Sequence, residues 1–510
     1  MAAFLSDPPR LRIGPDVSLD CTAVEAAART SETEIEPTGA AREAVDRAHV
    51  ALRTLEADGQ TIYGVTTGFG PLVTYASALD DGSGEPASRP THAEGLLAHL
   101  STGTGACMPP VAARAMLIAR LQTLVQGHSG IAPDVVEAYA RLLPDGLTPA
   151  VPVIGSVGAS GDLTPLAHAA RVLTGTGRVL REDGTIVLAR DALRAAGREP
   201  LDLSNRDALA LVNGTSFMTA YAALAVARTA RLVAHAERLT GWIYRLLGCT
   251  RQALDPRLHA VRGHVGQRES AAAIRDEAGP RTAGAPDRPL QEMYSLRCAP
   301  QVLGAARDQI DYVRRIVEAE LNGVNDNPVL DPDAPAALHG GNFQGQQVAF
   351  AADALNAAIT QVGVLAERQI DVLLTPAQNG GAPPLLAWTP GATSGLAGAQ
   401  ITATALVAEL RHDAQPSATS SIPTNGDNQD VVSMGALAAR TAYTQTEHLA
   451  GILAVLGLAL SQLTHLRQHD RAPGPAADPP DWMLAVEPVI HDRPLRAEIA
   501  ALSDTWLHPS

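Results

Sequence analysis

The run Gly155-Ser156-Val157-Gly158-Ala159-Ser160-Gly161-Asp162-Leu163 contains a tripeptide that can turn itself into an electrophile. The Gly161 nitrogen can attack the Ala159 carbonyl carbon and close a five-membered ring. Loss of water, with Ser160 giving up its hydroxyl, then leaves an exocyclic methylidene. The small neighbours matter because the attack needs a tight turn, and glycine tolerates dihedrals that strain other residues. A plainer reading makes the same residues a helix start, with Ser160 or Asp162 as the cap. Ala-Ser-Gly alone does not decide between them, so the rest of the chain must.

Composition narrows the chemistry. All 39 basic residues are arginine, and lysine is absent. Pyridoxal phosphate is held as a Schiff base on a lysine. That route to amine chemistry is closed, and a built-in electrophile fits the gap. A net charge of −15 argues against nucleic acid as a partner, since phosphate binding calls for clustered Lys and Arg. Cys21, Cys107, Cys249 and Cys298 show no CxxC spacing, so neither a metal site nor a disulfide framework is expected. Met1 to Pro9 lacks the basic and apolar regions of a secretion signal. The most apolar run, Leu449 to Leu460, falls short of the ~18 residues that span a bilayer and reads as a buried helix. A cytoplasmic protein without a membrane partner is expected.

The elements that must position the tripeptide are helices. Long stretches from Asp207 to Leu247, Phe343 to Leu374, Ala397 to His412 and Val431 to Gln468 are rich in Ala, Leu, Arg and Gln. Their apolar residues recur at three and four. Segments such as Ala351 to Ala358 are apolar on most faces, which implies burial on many sides. Strand signals are sparse, with one hairpin expected from Arg178 to Ala189 around Glu182-Asp183-Gly184. Pro and Gly cluster at Asp80 to Pro90, Gly279 to Pro289, Gly380 to Gly395 and Ala472 to Pro480, which read as surface loops or lids. The fold class is mainly α. Residues 1–205 form an N-terminal region with a lid loop at 59–86 and the tripeptide. Residues 206–510 form a long-helix core, and the two act as one functional unit.

Further blocks surround the tripeptide: Tyr63-Gly64-Val65-Thr66-Thr67-Gly68-Phe69-Gly70, Asn213-Gly214-Thr215, Gln291-Glu292-Met293-Tyr294-Ser295-Leu296-Arg297, His339-Gly340-Gly341-Asn342-Phe343 and Asn425-Gly426-Asp427-Asn428-Gln429-Asp430. Each resembles a segment of the histidine, phenylalanine and tyrosine ammonia-lyases, in the family's order. The resemblance implies that Ala159, Ser160 and Gly161 form a methylidene-imidazolone (MIO), with no pyridoxal phosphate and no metal. It also implies a homotetramer built on a central helical bundle, with each active site drawn from three chains.

The reaction so implied removes ammonia from an α-amino acid to leave an α,β-unsaturated acid. Its difficulty is the β proton, which is not acidic. The resemblance makes Tyr63 the base. A phenol that loses its proton near pH 10 needs nearby positive potential to act at neutral pH. Arg297 would pair with the substrate carboxylate through its planar fork. Gln291 and Tyr294, at spacings of three, would share a helical face with it. Asn213 and Tyr294 match positions that contact the ring or substrate, and Tyr294 is grouped with the catalytic residues. Phe343 and Leu163 would pack beside the ring, while Gly70, Asn425 and Asn428 would line the substrate site.

His99 and Leu100 speak to the substrate. The family's tyrosine-specific bacterial members resemble this His-Leu pair, where phenylalanine-specific ones have Phe-Leu. An imidazole can hydrogen-bond a phenol hydroxyl, which unpaired and buried costs about 1–3 kcal/mol. Gln429 stands where histidine-specific members carry Glu, and an amide argues against imidazole as substrate. The resemblance therefore implies L-tyrosine, with L-phenylalanine as a second candidate, giving trans-p-coumarate and ammonia. An MIO aminomutase, a phenylalanine or mixed-specificity lyase, and a non-catalytic helical scaffold stay open. The fumarase and argininosuccinate-lyase group is excluded by its need for a lysine.

Overall fold

The computed structural model describes residues 9–74, 91–281, 288–475 and 478–508. The chain is mainly α-helical, as the periodicity predicts. Strands among the described residues form only four two-stranded sheets. The expected hairpin is one of them: Arg178–Leu180 pairs antiparallel with Ile186–Leu188, and the turn closes with Gly184 N donating to Arg181 O at 3.0 Å.

Two compact units divide the chain. The first comprises Met1–Leu224, Arg314–Ala352 and Pro416–Arg440, and the second comprises Ala225–Val313, Asp353–Gln415 and Thr441–Ser510. In the first, the helices His92–Leu100, Leu163–Leu173 and Asn205–Val212 pack on one another. Beside them, Leu52, Leu55, Ile62, Val65 and Leu330 form an apolar core that anchors the Tyr63 turn. In the second unit the Ala397–Asp413 helix matches its expected bounds within a residue.

The other long helices start later than periodicity predicts, or break. The expected helix from Asp207 is two helices, Asn205–Val212 and Ser216–Leu247. Ser204 and Asp207 cap the first reciprocally, and it ends at Asn213 in an extended conformation. The helices expected from Phe343 and Val431 start at Gln346 and Gly435. The cause is common to all three. Backbone and side chains there bond to distant segments: Ser433 Oγ donates to Gly158 O at 3.2 Å, for example, and Asn213 Nδ2 to Ser160 O at 3.1 Å.

Two further expectations need correction. Gly380 to Gly395 is not simply a surface loop. Its Leu386 and Trp388 are buried, and Leu396 N closes back onto Leu385 O at 2.9 Å. Apolar length was also underestimated. Ser216–Leu247, Gln346–Leu374 and Gly435–Gln468 each contain an 18-residue window apolar enough to cross a membrane by composition. Those windows are 83%, 61% and 100% buried in the protein, so their apolar surface is already largely covered. The Asp80 to Pro90 cluster, residues 75–86 of the expected lid, residues 282–287 of the Gly279 cluster and residues 476–477 of the last cluster lie outside the described residues.

Candidate active site

The tripeptide sits in a tight backbone turn. Gly158 and Gly161 have φ of +72° and +68°. A Cβ on Gly161 would lie 2.3 Å from Gly214 O, so no other residue fits there. Gly214 O accepts a hydrogen bond from Asp162 N at 2.7 Å. Asn213 Nδ2 donates to Ser160 O, and Gln429 Nε2 donates to Ser160 Oγ at 2.7 Å. The hydroxyl that ring formation would remove therefore has an amide donor on its oxygen. The turn is the kind in which the Gly161 nitrogen can approach a carbonyl, and the residues present fit the ring they would form.

Asp162 stands at the N-cap position of the Leu163–Leu173 helix, yet its side chain makes no capping bond to that helix. It is buried, with Oδ1 accepting from Ser156 Oγ at 2.7 Å and Oδ2 from Met218 N at 2.9 Å. Burial pushes its carboxyl up to about 7, against the pull of those hydrogen bonds. The sequence considered Asp162 only as a cap. Its place directly after the tripeptide was the available signal.

A cavity of about 820 Å³ in the first unit opens onto the tripeptide. Its lining brings together Tyr63, Gly70, His99, Leu100, Ala159, Ser160, Gly161, Leu163, Asn213, Phe343, Asn425, Asn428 and Gln429, which the sequence had singled out from distant blocks. Asn327 and Thr424 line it as well and carried no motif signal. Gly70 N donates to Tyr63 Oη at 2.8 Å, and Tyr63 N donates to His339 Nε2 at 3.1 Å. Gly70, at φ +55°, lies so close to Asn425 Nδ2 that a Cβ would come within 2.6 Å of it. His99 lies in the last turn of its helix, and its Nδ1 is 2.9 Å from Gly95 O.

Gln291, Tyr294 and Arg297 do not line this cavity and belong to the second unit. Tyr294 and Arg297 share a helical turn, with the guanidinium carbon 4.5 Å from the ring centroid. Gln291 does not share it, because the helix begins only at Tyr294. The preceding segment is tied down by the buried ion pair of Arg288 and Glu292 at 2.6 Å, while Arg288 Nη1 also donates to Gln378 O. Among the described residues no group of three or more His, Cys, Asp or Glu side chains is placed to hold a metal ion.

Residues 19–479 match the family model described as aromatic amino acid lyase. The chain belongs to that family. It is 42% identical over 477 residues to a tyrosine ammonia-lyase of Cereibacter sphaeroides, covering 89% of each chain. It is 41% identical over 439 residues to an MIO-dependent tyrosine 2,3-aminomutase of Streptomyces globisporus, covering 82% of this chain and 80% of that one. The solved tyrosine aminomutase of Streptomyces globisporus superimposes with a TM-score of 0.87 at 34% identity, over 98% of this chain and 97% of that chain. Membership makes this protein a carbon–nitrogen lyase of aromatic amino acids.

Proposed function

We propose that the protein removes ammonia from L-tyrosine to give trans-p-coumarate, with no oxidant or reductant. One observation carries the choice of substrate. A backbone carbonyl only accepts, so the contact of His99 Nδ1 with Gly95 O puts the ring hydrogen on Nδ1. The neutral ring then presents a bare Nε2, which accepts the hydrogen bond of a phenol hydroxyl.

Ala159, Ser160 and Gly161 would form the MIO ring, which supplies an electrophile that makes the substrate amine a better leaving group. The other steps belong to side chains. Tyr63 takes the β proton while the bond from the α carbon to nitrogen breaks, the double bond forms and ammonia departs. The Gly70 N–H, already aimed at Tyr63 Oη, stabilises negative charge on that oxygen. Leu100, Leu163 and Phe343 give the aromatic ring apolar walls. Asn213, Asn425, Asn428 and Gln429 supply polar contacts around the tripeptide. The described lining holds no arginine to meet the substrate carboxylate. Arg297, with Tyr294 and Gln291 beside it, takes that role from a neighbouring subunit of a homotetramer.

A second reading has direct support. The tyrosine aminomutase relative is nearly as similar in sequence as the lyase. On that reading the same residues hold the unsaturated acid while ammonia adds back at the β carbon. The substrate claim is tested with His99→Phe. Losing the phenol's partner should lower the ratio of kcat/KM for tyrosine over phenylalanine about tenfold or more. An unchanged ratio would remove His99 as the selector.

A further inference from the structure

The Asn213-Gly214-Thr215 strap is squeezed between the tripeptide and a buried guanidinium. On one side, Gly161 stands so close that its Cβ would meet Gly214 O, C and Cα at 2.3, 2.5 and 2.9 Å. On the other, a Cβ on Gly214 would lie 1.9 Å from Arg120 Nη1 and 2.5 Å from Asn325 Oδ1. Gly161, Gly214 and Arg120 therefore stand in contact in that order. The strap also grips the tripeptide region through the hydrogen bonds from Asn213 Nδ2 to Ser160 O and from Asp162 N to Gly214 O.

Arg120 is an expensive side chain for that place. It lies on the Pro110–Leu124 helix and is 0% exposed. Its Nη1 donates to Asn325 Oδ1 at 3.1 Å, but Nε and Nη2 find no acceptor among the described residues. Nη2 is 3.7 Å from Asp326 Oδ2, an oxygen that already accepts from Arg206 Nη2 at 2.6 Å. Two guanidinium groups share one carboxylate. Burying a cation so incompletely paired is unfavourable, and an apolar side chain of similar volume would pack at lower cost. Stability therefore gives no reason for arginine here, whereas the rigid planar head wedged behind Gly214 does.

We infer that Arg120 is a positioning residue for ring closure: it keeps the Gly214 strap pressed on Gly161 and so holds the Gly161 nitrogen against the Ala159 carbonyl. This rests on the proposal that the tripeptide cyclises. In the closure a bond forms between the Gly161 nitrogen and the Ala159 carbonyl carbon. The carbonyl oxygen leaves as water, with hydrogens from the Gly161 and Ser160 nitrogens. A second water takes the Ser160 hydroxyl and its α hydrogen. Two waters are lost and no oxidant is needed. Without the wedge the strap can withdraw, and an attack that depends on close approach slows.

The test compares wild type, Arg120→Met, Arg120→Lys and Arg114→Met by intact mass, near-ultraviolet absorbance of the ring and thermal melting. Arg114 is a control, because its guanidinium is also buried but donates to Ala28 O and Arg29 O. Wild type lighter by two waters establishes the ring. Wild type at the full sequence mass overturns the tripeptide reading itself, and the inference with it. With the ring established, folded Arg120→Met is expected to keep mostly the uncyclised mass. Arg120→Lys, which keeps the charge without the planar fork, should be intermediate, and Arg114→Met should be fully cyclised. Complete ring content in Arg120→Met, or in Arg120→Lys if the first variant is insoluble, overturns the inference. So does an equal loss in Arg114→Met, which would mean that ring content merely follows stability.

Discussion

Asp162 is the residue whose chemistry the sequence conveyed least. Burial raises its carboxyl from the ordinary 3.8 to about 7. The folded protein therefore binds a proton more tightly than the unfolded chain. Between those values the native state holds more protons than the unfolded state, so stability falls as pH rises. Below about 4 the contribution is fully present, and above about 7 it is lost. Asp162→Asn should flatten that part of the profile of Tm against pH between 4 and 7. An identical slope in both proteins would show that Asp162 is not the group responsible. Other residues were legible by type. His99, Gln429 and the tripeptide drew their reading from the blocks around them, because each residue type alone has a plainer use. What could not be read was that Gln429 donates to Ser160 Oγ, because the partners are far apart in sequence and only the folded chain brings them together.

At the scale of elements, the long helices were readable because periodicity repeats over many turns. Outside the Ala397–Asp413 helix their starts were not, because the residues there have site-building partners instead of helical ones. The Asn213 break is the clearest case: the single helix expected there runs across Asn213-Gly214, a pair that marks a turn, and across the polar Thr215-Ser216 that follows. Local capping went unread as well, although its residues stand close together in the sequence. Thr91 and Glu94 form a capping box on the His92–Leu100 helix, which carries His99 on its last turn. Thr91→Ala should cost about 1 kcal/mol of stability. It should also raise KM for tyrosine more than it changes kcat, because His99 orients the phenol and takes no proton. A change in kcat with KM untouched would contradict the role assigned to that helix.

At the scale of the whole molecule, mainly α architecture followed from composition and period. The division into compact units did not, because each unit gathers segments separated by hundreds of residues. The proposed site is likewise incomplete within one cavity: Tyr63 lines it and Arg297 does not. If subunits share sites, Tyr63→Phe and Arg297→Gln should each be inactive alone, and co-expression should restore measurable activity. No recovery in the mixed assembly would contradict sharing. The most direct measurement is to incubate the purified protein separately with L-tyrosine, L-phenylalanine and L-histidine, and to resolve the products by chromatography. Ser160→Ala, which cannot form the ring, serves as the blank. The account predicts p-coumarate as the dominant product from tyrosine and none from the blank. β-Tyrosine as the main product, or turnover by Ser160→Ala near that of wild type, would contradict it.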